Sequence, residues 1–201
     1  MARLRRSVEA LYGAELPGDV GDRVLAAAAT APLQRIRIAA LPTGIEIGAE
    51  LLAAEPAPEP AVLAPAILPG GLGAHKWRDR RLLDELAERL DAVPLIVDLD
   101  NDVLEASYAN VFIVEGTHLV TPPLDGRQLP GTVRARVLAL HPAREERLTL
   151  DRMAAADELL LASSIRGIHP ARLADGEEPR FQLGARLRAA LRDDGLGAIA
   201  R

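Results

Sequence analysis

The chain has 201 residues and a net charge of -5; 49% of it is apolar and only 2% aromatic. That length allows one large domain or two small ones with room for a core, and the composition makes the core aliphatic. The arginines are spread along the chain, no apolar run reaches membrane-span length, and there is no cysteine, which argues against a nucleic-acid footprint, a transmembrane segment, disulfides and thiolate chemistry. The start, Met1-Ala2-Arg3-Leu4-Arg5-Arg6, is basic, but Ser7-Val8-Glu9-Ala10 follows it instead of an apolar signal core. The expectation is a soluble cytoplasmic protein with neither a membrane nor a nucleic acid as partner.

Residues 3–12 place Leu4, Val8 and Leu11 on one helical stripe that ends at Gly13. A second helix is expected from Asp19, as cap, to Thr30. From Gln34 to Ala40 the isoleucines Ile36 and Ile38 alternate with Arg35 and Arg37, as on a half-buried strand. Leu41-Pro42-Thr43-Gly44 is a turn, and Ile45 to Leu51 pairs back. Ala53 to Pro60 carries alternating prolines and reads as a stiff linker. The chain therefore divides into a small domain over 1–52, a linker over 53–60 and a larger domain over 61–201.

In the larger domain Ala61 to Leu68 is a strand and Pro69-Gly70-Gly71-Leu72-Gly73 a flexible loop. Arg78 to Ala92 has the pattern of an amphipathic helix with Leu82, Leu83, Leu86 and Leu90 inside. Strands follow at Leu95 to Leu99 and Val103 to Ser107, separated by an Asp100-Asn101 turn. A hairpin joins Val111–Val114 to His118–Thr121 around Glu115-Gly116-Thr117. Pro122 to Pro130 is a loop, Thr132 to Leu140 a helix, Glu146 to Leu150 a strand, Asp151 to Ala155 a short helix and Glu158 to Ala162 a buried strand. Gln182 to Arg192 closes the chain as an amphipathic helix. Mixed strands and helices with several hairpins make the fold class α+β, with mixed sheets.

One residue stands apart chemically. Lys76, in His75-Lys76-Trp77-Arg78-Asp79-Arg80, is the sole lysine among 24 basic side chains. An arginine is charged at any accessible pH, whereas a lysine amine can lose its proton and form an imine with a carbonyl. Lys76 is thus a candidate Schiff-base residue; a leftover surface lysine is the plainer reading. Three downstream features suit a phosphorylated, pyridine-bearing aldehyde. Glu105 on a short strand could face a pyridinium nitrogen. Leu129-Pro130-Gly131-Thr132-Val133-Arg134 opens a helix whose first N–H groups could hold an anion. Ser163-Ser164 ends a buried strand and could add a hydroxyl. Each alone is weak: a solvated glutamate, helix punctuation and a loop start explain them equally well.

In this order the motifs are specific. A lysine before a helix, Glu-x-x-x-x-Asn-Val-Phe over 105–112, Thr-Pro-Pro at 121–123, Leu-Pro-Gly-x-x-Arg over 129–134 and Ser-x-Arg-Gly over 164–167 together resemble the class IV, or fold type IV, pyridoxal-phosphate enzymes. These include branched-chain and D-amino-acid aminotransferases and 4-amino-4-deoxychorismate lyase. The resemblance covers residues 3 to 176 and is densest from Glu105 to Arg134. It implies pyridoxal 5'-phosphate as cofactor, a two-domain architecture, a small-molecule substrate and a homodimer. It gives Lys76 the role of Schiff-base and proton-moving residue, and sets Glu105 against the pyridine nitrogen. The phosphate is then held by the Thr132 and Val133 backbones, the Ser164 hydroxyl and Arg3, which matches the arginine of a His-x-x-Arg-Leu helix. Asn110 is structural. Arg166 is a substrate-carboxylate candidate by chemistry, a bidentate partner near the cofactor, or else a surface arginine.

Two departures qualify the match. Met1 stands two residues before Arg3, so the small domain is expected to be a truncated form of the family's. Trp77-Arg78-Asp79-Arg80 after the lysine, with the later Ser-x-Arg-Gly, looks closer to lyase-type members than to branched-chain transaminases. Three functions stay open: a lyase releasing pyruvate from 4-amino-4-deoxychorismate to give 4-aminobenzoate, an aminotransferase on a small amino acid, and a non-catalytic homologue.

Overall fold

A computed structural model of the chain describes residues 1–28, 34–52 and 59–193. The chain divides into two compact units, Met1–Glu55 and Pro56–Gly197. Residues 53–58 of the expected linker, and 29 and 30 of the expected second helix, lie outside the described residues.

In the first unit, α1 (Ala2–Tyr12) and α2 (Val20–Ala28) precede an antiparallel hairpin of β1 (Gln34–Leu41) and β2 (Gly44–Leu51). The Tyr12 hydroxyl donates to the Ala40 carbonyl at 3.1 Å and Arg23 to the Ile45 carbonyl at 2.8 Å, so each helix has a polar tie to the hairpin.

In the second unit, β3 (Ala61–Ile67) leads through a loop to α3 (Arg81–Leu90), followed by β4 (Val93–Val97), β5 (Asp102–Ala106), β6 (Asn110–Glu115) and β7 (His118–Thr121). Then come α4 (Thr132–Leu140), β8 (Ala143–Glu145), β9 (Leu148–Thr149), α5 (Leu150–Ala154), β10 (Glu158–Ser163), β11 (Gly167–Leu173) and α6 (Leu183–Leu191). The nine strands form one mixed sheet in the order β8-β7-β6-β10-β11-β3-β4-β5-β9. Pairs β11·β3, β3·β4 and β7·β8 are parallel and the others antiparallel. The strands at the two ends of that order, β8 and β9, are separated only by Glu146 and Arg147 in the chain. The sheet therefore curls until its ends nearly meet.

Curling gives the sheet an inside. Leu63, Leu95, Val103, Val111, Ile113, Val120, Leu148, Leu161 and Ala171 come from eight different strands and share one buried cluster. The alternate residues of β6 and β10 point outward: Phe112, Val114 and Leu160 pack with Val133 and Val137 of α4 and Leu187 and Leu191 of α6. A third cluster places Leu83 of α3 on Ala66, Ile96 and Leu104. Burial on both faces is why Val111-Phe112-Ile113-Val114 and Leu159-Leu160-Leu161 are unbroken apolar runs instead of alternating ones.

Several expectations need correction. α3 begins at Arg81, not Arg78, because the Asp79 carboxylate accepts from the Arg81 N–H at 3.0 Å and binds its guanidinium, forming a local turn before the first helical residue. Leu82 faces solvent at 52% exposure and only Leu83 of the four leucines is fully buried. The strand expected over Glu146–Leu150 is shorter: Leu148–Thr149 form β9, Glu146 and Arg147 carry the chain over from β8, and Leu150 already opens α5. β4 stops at Val97, before Leu99. β11 runs where the sequence analysis expects no element, and Pro170 sits within it. That proline precedes the stretch paired with β3, which begins at Ala171, so its missing N–H is not demanded by that ladder.

Phe112, fully buried on the outer face of β6, and the exposed Leu82 provide a contrast in stability. Phe112→Ala should cost about 3–5 kcal/mol in denaturant unfolding, and Leu82→Ala less than about 0.5 kcal/mol. Equal losses would contradict this assignment of core and surface.

Candidate functional site

Glu105 lies near the end of β5 and is 4% exposed. A buried carboxylate needs donors, and one comes from the loop before α4: the Leu129 N–H donates to Glu105 Oε1 at 3.0 Å. The Leu129 carbonyl in turn accepts from Asn110 Nδ2 at 2.8 Å, at the start of β6. Gly131 then passes so close to Asn110 that an added Cβ would overlap its side-chain oxygen. Glu105, Asn110 and the segment 129–131 are thus fixed to one another by hydrogen bonds and by a close approach that only glycine permits.

That segment is also the entry to α4. Its N-cap is Gly131, which has an extended backbone and no side chain to bond the first N–H groups. Thr132 is exposed and Val133 buried, so the helix begins at the surface with its backbone donors uncapped by a side chain. Asn110 pairs with Ala162 of β10, which brings Ser163 and the exposed turn Ser164-Ile165-Arg166 to the same end of the sheet.

Lys76 is exposed on the loop of residues 68–80. Before it, the Gly70 N–H donates to Asp98 Oδ1 at 3.2 Å and the Gly73 N–H to the Arg127 carbonyl at 2.9 Å. After it, Arg80 donates to the Ser107 carbonyl at 2.6 Å. Asp98 is bonded to the first residue of β5 (its N–H donates to the Asp102 carbonyl at 2.8 Å), and Ser107 follows the last. The loop consequently runs the length of the strand that carries Glu105, with Lys76 between its anchors. Trp77 is tied within the loop, its indole N–H donating to the Leu72 carbonyl at 3.3 Å. Arg3 lies on α1 in the first unit. The residues of the second unit that the sequence singled out are therefore gathered on β5, its flanking loop and the start of α4, with Ser164 and Arg166 on the neighbouring turn.

Sequence reasoning missed three further groups. Tyr108, in the turn between Glu105 and Asn110, bonds His169 Nε2 through its hydroxyl at 3.0 Å, and the Arg166 guanidinium stands over its ring 5.8 Å from the centroid. Burial, and then the charge of Arg166, hold His169 down to a pKa of about 4, so it is neutral at physiological pH. Burial pushes the Tyr108 hydroxyl up, opposed by Arg166. The third group is Arg127. Asp125-Gly126 before it is a turn signal, but nothing in the pattern announces the ion pairs it makes. The described residues include no group of three or more His, Asp or Glu placed to hold a metal ion. No described helix is long and apolar enough to cross a membrane.

Residues 78–174 match the family described as amino-transferase class IV. A solved structure from Mesorhizobium loti, assigned as an amino-acid aminotransferase, is 28% identical with a TM-score of 0.75, and the match covers 86% of this chain and 88% of that one. Over residues 78–174, just under half of its length, the chain is similar to the class IV aminotransferases. Its fold is that of the fold type IV enzymes. A branched-chain-amino-acid aminotransferase assigned in Thermotoga maritima is 32% identical over 83 residues, which span 39% of this chain and 30% of that protein. The 4-amino-4-deoxychorismate lyase of Pseudomonas aeruginosa is 27% identical with a TM-score of 0.54, covering 67% of this chain and 55% of that one.

The depressed His169 has a measurable consequence. Folded, it takes up a proton only near pH 4; unfolded, near 6.5. The unfolded state binds the extra proton between these values, so stability falls as pH is lowered from about 6.5 toward about 4, by at most ~1.4 kcal/mol per pH unit. His169→Gln should lose less stability than the parent between pH 7 and 4.5 in denaturant melts, and parallel losses would show that His169 does not titrate as described.

Proposed function

We propose that this chain is a pyridoxal 5'-phosphate-dependent enzyme that works on the amino group of a small amino acid, with Lys76 as its covalent residue. The observation that carries this reading is the joining of the buried Glu105 carboxylate to the entry of α4 through the Leu129 N–H, beside the loop that presents the sole lysine. These residues suit the cofactor. The uncapped first turn of α4 offers backbone donors to a phosphate, at the positive end of a helix dipole. Thr132 and Val133 supply those N–H groups, and Ser164 a hydroxyl from the adjoining turn. Arg3 is assigned to the phosphate by resemblance.

When bound, pyridoxal phosphate supplies an aldehyde that captures amines and a ring that accepts electrons. The chain supplies the rest. The Glu105 carboxylate, fixed by Leu129, would serve the ring nitrogen and favour its protonated form. Lys76 Nζ would hold the cofactor and would take and return a proton at the substrate carbon. Arg166, held over Tyr108, serves the substrate carboxylate. Asn110 holds the 129–131 segment and touches no reactant.

Amino transfer is the first reading, supported by the Mesorhizobium loti structure, which the match covers nearly end to end. The lyase reading is supported by the Ser164-Ile165-Arg166-Gly167 turn and by the Pseudomonas aeruginosa structure. By resemblance the working form is a cytoplasmic homodimer, and its mass in solution tests the stoichiometry.

Purified protein mixed with pyridoxal phosphate and reduced with borohydride should carry the cofactor's mass on the peptide containing Lys76. Lys76→Arg, which keeps the charge and loses the nucleophile, should carry none and have activity lowered at least about a thousandfold. A labelled peptide elsewhere, or retained activity in the arginine variant, would sink the assignment. Amino transfer to 2-oxoglutarate, measured beside release of 4-aminobenzoate and pyruvate, separates the two reactions.

A further inference from the structure

We propose that Arg127 is a positioning residue that couples the Lys76 loop to the entry of α4, so that one guanidinium sets the site's amine and its carboxylate relative to each other; this rests on the function proposed above. Arg127 Nη1 bonds Asp98 Oδ2 at 2.9 Å and Asp102 Oδ2 at 3.0 Å, and Nη2 pairs with Asp125 Oδ2 at 2.6 Å. Asp98 uses its other oxygen to accept from the Gly70 N–H. The carbonyl of Arg127 accepts from the Gly73 N–H, three residues before Lys76. Arg127 therefore holds the loop at two points, once through Asp98 and once directly. Between those points Gly71, with φ at 68°, lies so close that an added Cβ would overlap the Arg127 carbonyl oxygen and Leu104. Two residues after Arg127, the Leu129 N–H reaches Glu105.

Charge explains why the arrangement needs an arginine. Asp98, Asp102 and Asp125 meet around one guanidinium, with side-chain exposures of 17%, 13% and 36% against 30% for Arg127. The fork of Arg127 satisfies all three at once, as a point-charge ammonium could not. Asp98 and Asp125 are both held below the usual carboxylate range, chiefly by their bonds to Arg127. Arg147 also binds Asp102 but reaches neither of the other two by a hydrogen bond. Without Arg127 the carboxylates repel, Asp98 swings out, and Gly70 loses its acceptor.

A matched control exists within the chain. Arg152 on α5 makes an ion-pair set of the same kind with Glu115 and Glu146, at 2.6 Å each, and is 27% exposed. Its hydrogen bonds go to those carboxylates and to the Arg147 carbonyl instead of to the lysine loop. The test compares full-length Arg127→Gln, Arg127→Lys and Arg152→Gln at temperatures giving equal fractions folded. Amide hydrogen exchange is read over peptides covering 70–76 and 128–132, and the dissociation constant for pyridoxal phosphate is measured alongside. Arg127→Gln should speed exchange in both segments and raise that constant, each about tenfold, with Arg127→Lys intermediate and Arg152→Gln at parent values. Equal exchange in the Arg127→Gln and Arg152→Gln proteins would overturn the coupling, and so would faster exchange with an unchanged dissociation constant. If Arg127→Gln does not fold, Arg127→Lys carries the same comparison. Failure of the parent to take up cofactor on Lys76 overturns the proposed function by a separate readout, while the exchange data still decide the coupling.

Discussion

A sheet that is apolar on both faces must be covered twice, and that constraint organises the second unit. One face is covered by curling the sheet on itself, which gathers side chains from eight strands into a common interior. The other is covered by α4 and α6 over β6 and β10, and by α3 over β3, β4 and β5. With both faces occupied by aliphatic side chains, ionisable chemistry is displaced to strand ends, turns and helix entries. Lys76, Thr132, Ser164 and Arg166 all stand at such places. Among the candidate site residues Glu105 differs: it is a carboxylate within a fully buried strand, stabilised by the backbone donor of Leu129.

The interdependence of that carboxylate and the helix entry is economical. Were Leu129 to withdraw, Glu105 would lose a donor in a buried setting, at a cost on the order of 1–3 kcal/mol or more for a charged group. The close pass of Gly131 against Asn110 adds a steric lock, and the hydrogen bond from Asn110 to Leu129 a polar one. Rigidity of this kind suits the proposed site, which would hold a ring and a phosphate at fixed separation.

Much of this was legible in the sequence because local rules and long-range packing agree there. The α4 entry follows from Pro-Gly before a helical stripe, and β6–β7 from two apolar runs about Glu115-Gly116-Thr117. The mixed α+β class follows from the mixture of hairpins and helices. What was not legible depends on contacts distant in the chain. Leu82 fits the helical stripe as well as Leu83 does, and only the direction from which the sheet approaches α3 decides between them. β11 is disguised by Pro170, which lies opposite Leu160 of β10 and just before the stretch paired with β3. The strand expected at Glu146–Leu150 is cut to the two residues of β9 because Glu146 and Arg147 are spent carrying the chain from one end of the curled sheet to the other. Arg127 could not be distinguished from any other loop arginine, since its carboxylate partners lie up to 29 residues away in sequence.

The near-meeting of β8 and β9 bears on how this protein behaves at high concentration. An open nine-stranded sheet presents two long rows of unpaired N–H and C=O groups to which another chain can add. Here the terminal strands are three and two residues long, and Arg144, Glu145 and Arg147 lie on or beside them. Such short, charged margins give an incoming strand little to pair with, so the topology that buries the core also guards the second unit against edge-to-edge aggregation.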